Sequence, residues 1–268
     1  MTCRFLPGRI SVSSVSAGVT FSLAHPRGKP TKEFYGVAKE FGRYVGILGD
    51  PACRAGWQKN FPRIAELLRE RYQPSHVFVP GDVSQYGLVA QHEETLEHCR
   101  KFPWQWVVAM GDHDRPVYIF ERYWGPPRKV TDLGRWRFIG VNTADGVFTE
   151  ENANWLREQM KNDTIIYSHM PPYLPGWEFH SLSKKCTARF FAVLDDFRDQ
   201  VRACFFGHIH SYDRKDYHGI PLIVTGAGGA AAHGLGPDGY QGTRPFQAMA
   251  FDTTTGEIHL LEDKENPS

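Results

Sequence analysis

The chain lacks three features that would assign it to a specialised class of protein. No apolar run approaches the roughly 18 residues of a membrane-spanning helix, so the sequence does not predict a membrane protein. Lys and Arg number 31 against 30 Asp and Glu, so net charge does not indicate nucleic acid or an anionic membrane as a partner. Any anionic ligand would have to be held by a local group, such as a bound metal ion.

Cysteine is also sparse, and its pattern is not that of a disulfide framework. The five cysteines are odd in number, scattered and without a C-x-x-C pair. We expect reduced thiols, most of them in the core, at Cys3, Cys53, Cys99, Cys186 and Cys204. The predicted location is the cytoplasm. Secretion through an N-terminal signal is the alternative, but serines interrupt the apolar part of residues 1–29.

Strand and helix patterns alternate along most of the chain. Apolar runs predict core strands at 41–49, 76–79, 104–110, 164–167 and 203–206, and amphipathic patterns predict helices at 62–72, 89–101, 150–160 and 187–199. Further strands are expected at 129–132, 136–142, 211–217, 220–225, 246–252 and 257–261, and the aromatic-rich segment 118–124 is interpreted as a connection. Alternation followed by consecutive strands indicates an α/β fold with mixed sheets covered by helices.

The sequence shows no internal repeat and no linker after about residue 41. We therefore expect a loosely ordered leader at 1–40, one domain at 41–263 and a short tail at 264–268.

Acidic or histidine residues directly follow five of the predicted core strands. They are Asp50, Asp82, Asp112 with His113, His169, and His208 with His210. Ligands of open α/β sheets bind beyond the carboxyl ends of strands, so these side chains could converge on one crevice. Carboxylates and imidazoles together suit Zn, Mn or Fe. Any one of these residues could instead cap a turn, but the repetition behind five strands favours a metal site.

These residues occur in the order of a known family's motifs. The motifs are Gly49-Asp50, Gly81-Asp82, Gly111-Asp112-His113-Asp114, His169 and Gly207-His208-Ile209-His210. In this order the chain resembles the calcineurin-like metallophosphoesterases. Residues 168–172 and 207–214 are most similar to the purple acid phosphatase branch. The resemblance implies a four-layer αββα sandwich of two mixed sheets, holding two Mn, Zn or Fe ions bridged by a carboxylate.

The resemblance also implies a role for each motif residue. Asp82 would bridge two metal positions, one completed by Asp50 and His210 and the other by Asp112, His169 and His208. Two ions together would polarise the phosphoryl oxygens and activate a water molecule that attacks phosphorus in line. His113 would hydrogen-bond the phosphate or protonate the leaving oxygen.

Two positions depart from the family's pattern. Asp50-Pro51-Ala52 has no imidazole where many relatives have one, so one metal position lacks a ligand. Tyr86 is the main candidate to replace it, as a tyrosine does in purple acid phosphatases, and Cys53 is the second candidate. Asp112 stands where the family usually has Asn. Its additional charge is expected to tighten metal binding and to lower the Lewis acidity of the ion.

The predicted function is hydrolysis of a small phosphate ester. His180, in the long aromatic loop after His169, and Arg115, directly after the third motif, are predicted to contact the substrate. Asp114 resembles a feature of many diesterases, whereas the segment after His210 resembles monoesterases, so both ester classes stay open. The alternative function is a metal-binding scaffold with little catalysis, which Ala52 keeps open. No nucleic acid or membrane partner is expected.

Overall fold

The computed structural model of the protein describes residues 42–230 and 245–267, and the predicted leader lies outside them. The strands are β1 (Tyr44–Ile47), β2 (His76–Pro80), β3 (Gln105–Ala109), β4 (Lys129–Leu133), β5 (Trp136–Val141), β6 (Thr164–Ser168), β7 (Val201–Phe206), β8 (Tyr212–Tyr217), β9 (Ile220–Thr225), β10 (Pro245–Asp252) and β11 (Ile258–Pro267). The helices are α1 (Trp57–Tyr72), α2 (Val89–Cys99), α3 (Val117–Trp124), α4 (Glu150–Gln159) and α5 (Lys184–Asp196).

These strands form two mixed sheets. One has the order β11-β10-β1-β2-β3 and the other β4-β5-β6-β7-β9-β8. β1, β2 and β3 run parallel to one another, and so do β5, β6, β7 and β9. Because parallel neighbours end at the same edge of a sheet, the segments that follow β1, β2 and β3 leave the first sheet together. The segments that follow β6 and β7 likewise leave the second sheet together.

The sheets pack face to face through apolar side chains. Phe78 of β2 stacks on Phe138 of β5 with ring centroids 4.1 Å apart, and both rings are fully buried. In β6, Ile165 and Tyr167 belong to this inter-sheet core, whereas Ile166 belongs to the core on the opposite face. This division follows from the two-residue period of a strand. Burial on both faces explains why these strands are continuous apolar runs rather than alternating ones.

Helices cover the outer faces and complete the predicted four-layer αββα sandwich. α4 and α5 place Leu156 and Phe190 in the core on the outer side of the second sheet. On the first sheet, Phe61 of α1 contacts Trp106 of β3, with ring centroids 5.6 Å apart. Within the described residues, none of the helices combines the length and the hydropathy needed to cross a membrane. Cys53, Cys99, Cys186 and Cys204 are buried and free, as expected.

Helices α1 and α3 differ most from the sequence prediction, and α5 begins and ends three residues earlier than expected. The aromatic segment interpreted as a connection is helix α3, which buries Phe120 and Trp124 one turn apart. Trp124 Nε1–H donates to His92 Nδ1 at 3.0 Å, so the aromatic residues anchor α3 against α2. Helix α1 begins at Trp57 rather than Pro62 and contains the proline. Burial of Trp57 and Phe61 on one face favours the longer helix in spite of the proline's missing N–H.

Candidate metal centre

The backbone has left-handed conformations at three of the predicted ligands. The φ angle is 51° at Asp50, 59° at Asp82 and 66° at His208. Non-glycine residues rarely have positive φ, because Cβ then crowds the backbone. Such conformations persist where surrounding contacts impose them, and they concentrate at functional sites. These turns direct side chains from both sheets toward a common edge.

Asp50 connects the first sheet to the second. Its two carboxylate oxygens accept the backbone N–H of His208 at 3.1 and 3.0 Å, and its Oδ1 lies 3.6 Å from His210 Nε2. Gly207 allows this approach, since a Cβ there would lie 2.5 Å from Asp50 Oδ2. Burial raises the pKa of Asp50 to about 7, although the charge of His169 opposes the shift.

Asp112, His169 and His208 contact one another directly. His169 Nε2 lies 2.6 Å from Asp112 Oδ1 and 3.1 Å from His208 Nδ1. His169 Nδ1–H donates to the Pro80 carbonyl oxygen at 2.9 Å, so Nε2 would be the nitrogen that binds a metal ion, in place of the proton that it shares with Asp112. Metal-ligating histidines are commonly held by such a hydrogen bond on the other ring nitrogen. The His169 ring is therefore oriented as a ligand requires.

Asp82 lies beside this group. Its Oδ1 is 3.4 Å from His169 Nε2 and accepts the His113 backbone N–H at 3.2 Å. Its Oδ2 is buried and has no hydrogen-bond partner within the described part of the chain. A buried carboxylate oxygen without a donor is unfavourable unless a cation or a proton compensates it. The environment of Oδ2 thus fits a ligand that faces a metal ion.

Asp114 holds Asp82 in place, a role that the sequence did not reveal. One Asp114 oxygen accepts the backbone N–H groups of Asp82 at 3.0 Å and Gly111 at 2.8 Å, and the other accepts the Ser84 hydroxyl at 3.1 Å. Burial raises the pKa of Asp114 to about 7. Its place in the third motif was the only available signal, because the hydrogen bonds join segments that are distant in the sequence.

The cluster carries more carboxylates than fixed positive charges. Burial lowers the pKa of His169, but the negative charges around it, Asp82 first, outweigh burial and raise the pKa well above its ordinary value. Burial acts to raise the pKa of Asp112, yet the hydrogen bonds from His169 and His208 hold it below its ordinary value. A cluster that stabilises a proton on His169 in this way is also suited to a divalent cation.

The described residues include three groups of potential metal ligands, and within each group the ligand atoms lie within 4.8 Å of one another. The groups are Asp112, His169 and His208; Asp50, Asp82 and His169; and Cys53, Asp82 and His113. The first two groups share His169 and overlap with the two predicted ligand sets. His210, the remaining residue of those sets, lies beside Asp50. Carboxylate and imidazole donors in this number fit two divalent transition-metal ions.

The predicted substrate residues lie around the cluster. His113 Nδ1–H donates to the Gln85 carbonyl oxygen at 2.7 Å, so the other ring nitrogen, Nε2, is not used in this hydrogen bond. The His180 ring is 5.5 Å from the His208 ring. Arg115 donates from Nε to the Asp112 carbonyl oxygen at 3.2 Å and from Nη1 to Asp145 at 3.1 Å. Arg115 is thus held next to the cluster by its own side-chain contacts.

Tyr86, the first candidate to replace the missing imidazole, lies at the protein surface. Its side chain is 68% exposed, and its backbone N–H donates to Gln91 Oε1 at 2.8 Å. The geometry gives no support to Tyr86 as a metal ligand, and that assignment stays a prediction. Cys53, the second candidate, is buried and lies in the group with Asp82 and His113.

Comparisons with known proteins agree with this geometry. The family model described as calcineurin-like phosphoesterase matches residues 44–212, which is more than half of the chain. The chain is 26% identical over 180 residues to a 3',5'-cyclic-nucleotide phosphodiesterase of Nostoc, covering 62% of this chain and 67% of that protein. It is 23% identical over 152 residues to a probable cyclic nucleotide phosphodiesterase of Coxiella burnetii, covering 52% of this chain and 61% of the relative.

A solved structure shares the fold. The dimetal phosphatase from Danio rerio superimposes with a TM-score of 0.58 at 11% identity, covering 83% of this chain and 99% of that one. These relatives do not support the finer placement in the purple acid phosphatase branch. The motif order, the two facing sheets and the match over residues 44–212 agree, and the chain belongs to the calcineurin-like phosphoesterase family.

Proposed function

We propose that this protein is a metal-dependent phosphodiesterase that acts on 3',5'-cyclic nucleotides. The catalytic part of the proposal rests on one observation. Two groups of carboxylate and imidazole side chains share His169, and Oδ2 of Asp82 beside them has no hydrogen-bond partner among the described residues. The preference for a diester is supported by the two relatives described as cyclic-nucleotide phosphodiesterases. Asp114, the feature shared with many diesterases, is fully buried and positions Asp82.

Six side chains would hold the two metal ions: Asp50, Asp82, Asp112, His169, His208 and His210. When bound, two such ions supply Lewis acidity to the phosphoryl group and to the attacking water. Asp82 would be shared between the two positions, because its Oδ1 lies near His169 while its Oδ2 lacks a protein donor among the described residues. Mn, Zn and Fe all fit this donor set.

His113 would donate the proton to the leaving oxygen. Its backbone N–H donates to Asp82 and its ring Nδ1–H donates to the Gln85 carbonyl oxygen, so the main chain and the ring are each held by one hydrogen bond. The transferred proton would be the one on Nε2 of the protonated ring. In a cyclic nucleotide the leaving oxygen stays attached to the product, so one protonation completes ring opening. Arg115 and His180 would contact the phosphate and the rest of the substrate.

A metal-binding scaffold with weak catalysis is the second candidate function. Ala52 favours it, because this buried residue offers no donor where many family members have an imidazole. A poorly held ion at that position would leave metal binding intact but would weaken activation of the attacking water.

The two candidate functions differ in turnover. We would strip the protein of metal, add back Mn, Zn or Fe, and assay a 3',5'-cyclic nucleotide, a chromogenic phosphate diester and the matching monoester. The proposal predicts metal-restored hydrolysis of both diesters, with the monoester cleaved at a lower rate. Metal uptake without turnover would support the scaffold, and faster cleavage of the monoester would contradict the proposed substrate class.

The charge on Asp112 gives a separate prediction. In the variant Asp112→Asn we expect divalent-metal affinity to fall by about tenfold, because one carboxylate charge is lost, while kcat at saturating metal rises as the ion becomes a stronger Lewis acid. Isothermal titration and steady-state kinetics measure the two quantities. The matched control is Asp196→Asn, which removes the same charge from an exposed ion pair with Arg157. Unchanged affinity and turnover in Asp112→Asn would show that this charge does not tune the metal.

A further inference from the structure

Ala52 leaves one metal position without its expected ligand, and the same turn brings another possible donor, Cys53, close to Asp82. The Ala52 backbone N–H donates to the Asp82 carbonyl oxygen at 3.1 Å. This bond holds the first-motif loop against the second motif. The next residue, Cys53, is fully buried beside Asp82.

The thiol of Cys53 lies within a group of potential ligands. Cys53 Sγ, a carboxylate oxygen of Asp82 and a ring nitrogen of His113 all lie within 4.8 Å of one another. Atoms within 4.8 Å of one another are close enough to be ligands of a single metal ion. Cys99, Cys186 and Cys204 belong to no such group within the described residues.

A second observation indicates that one member of this group, Asp82, faces a cation. Asp82 Oδ2 is buried without a hydrogen-bond partner among the described residues, although Oδ1 of the same carboxylate accepts the His113 N–H. A cation bound to Oδ2 would compensate its charge, and Cys53 Sγ lies within 4.8 Å of an oxygen of the same carboxylate.

We propose that Cys53 is a metal ligand that replaces the missing first-motif imidazole, coordinating one of the two ions through Sγ as a thiolate. The inference rests on the proposed two-metal centre. Binding transfers the thiol proton to solvent as the metal–sulfur bond forms. The first position would then take Asp50, Asp82, His210 and Cys53, with His113 beside it as the proton donor.

A thiolate ligand changes which metals this position prefers. Thiolate is a softer donor than imidazole or carboxylate, so the position should select Zn, Fe or Co over Mn and Mg. The second position, with Asp112, His169 and His208 as ligands, lacks a sulfur donor. The two positions should therefore differ in metal selectivity. When Zn and Mn compete for the protein, Zn should displace Mn more readily from one of the two positions than from the other.

Cobalt provides a readout that does not depend on activity. We would titrate the full-length, metal-stripped protein with Co²⁺ and record the near-ultraviolet sulfur-to-cobalt charge-transfer band together with the number of ions bound. We expect the band in the wild-type protein and in the control variant Cys186→Ser, which removes a buried thiol in α5. In Cys53→Ser the band should be lost, and the affinity for one of the two ions should fall by at least about tenfold.

Each outcome is informative. A wild-type protein that binds two Co²⁺ without the band overturns the inference even if Cys53→Ser does not fold, and so does a band that persists in a folded Cys53→Ser. Failure of the wild-type protein to bind Co²⁺ would instead contradict the proposed metal-dependent function. An unchanged ratio of Zn to Mn affinity in Cys53→Ser would also count against a thiolate ligand, because loss of the softer sulfur donor should reduce that ratio.

Discussion

Replacing Asp82 with Asn will reduce metal-restored diester hydrolysis by at least about a thousandfold in kcat. The amide has nearly the same shape but lacks the charge, and Asp82 is the carboxylate proposed to lie between both ions. Its backbone contacts to Asp114 and to Ala52 do not involve the substituted atoms, so the local fold should persist. Steady-state kinetics and the number of bound ions measure the effect.

The matched control for this substitution is again Asp196→Asn, which changes the same group at an exposed position. It should retain wild-type turnover and bind two ions. Retention of kcat within tenfold in Asp82→Asn would exclude Asp82 as the shared ligand.

Replacing His113 with Ala will lower kcat by about a hundred- to ten-thousandfold, the range typical of a lost general acid. Metal affinity should stay the same within about twofold, because the backbone N–H bonded to Asp82 is retained in the variant. The measurement is a pair of titrations, one of metal binding and one of diester turnover at saturating metal. The pair separates an enzyme from a scaffold, because a scaffold has no need of a proton donor.

His218→Ala is the matched control, since this exposed histidine pairs with Asp195 and lies outside the proposed centre. An unchanged kcat in His113→Ala would contradict the assigned role. A weaker metal affinity with unchanged kcat at saturation would make His113 a ligand instead.

The fold was largely predictable because most core strands are buried on both faces. Runs such as 76–79 and 203–206 contain almost only apolar residues, which indicates strands of an α/β sheet regardless of their partners. The order of the strands was not predictable. β10 lies between β1 and β11, and this pairing depends on contacts between opposite ends of the chain that no local pattern encodes. Helix α3 was missed because its aromatic residues also fit a loop.

The identities of the candidate site residues could be predicted, but their contacts could not. Strand-end Asp and His residues were visible as a repeated pattern, and the structure brings Asp50, Asp82 and His169 together. Choosing between Tyr86 and Cys53 required the direction of each side chain after its turn. The left-handed backbone at Asp50 and Asp82 helps to set that direction. The spacing of residues in the sequence does not predict it, because it does not give the backbone angles of a turn.

The most direct single measurement is a metal titration of the stripped protein in which bound ions and cyclic-nucleotide turnover are read from the same samples. A two-metal phosphodiesterase predicts little turnover at one ion per chain and a steep rise as the second ion binds, with Asp82→Asn inactive throughout. Turnover that is complete with one ion, or that is absent with two ions bound, would contradict the proposed mechanism.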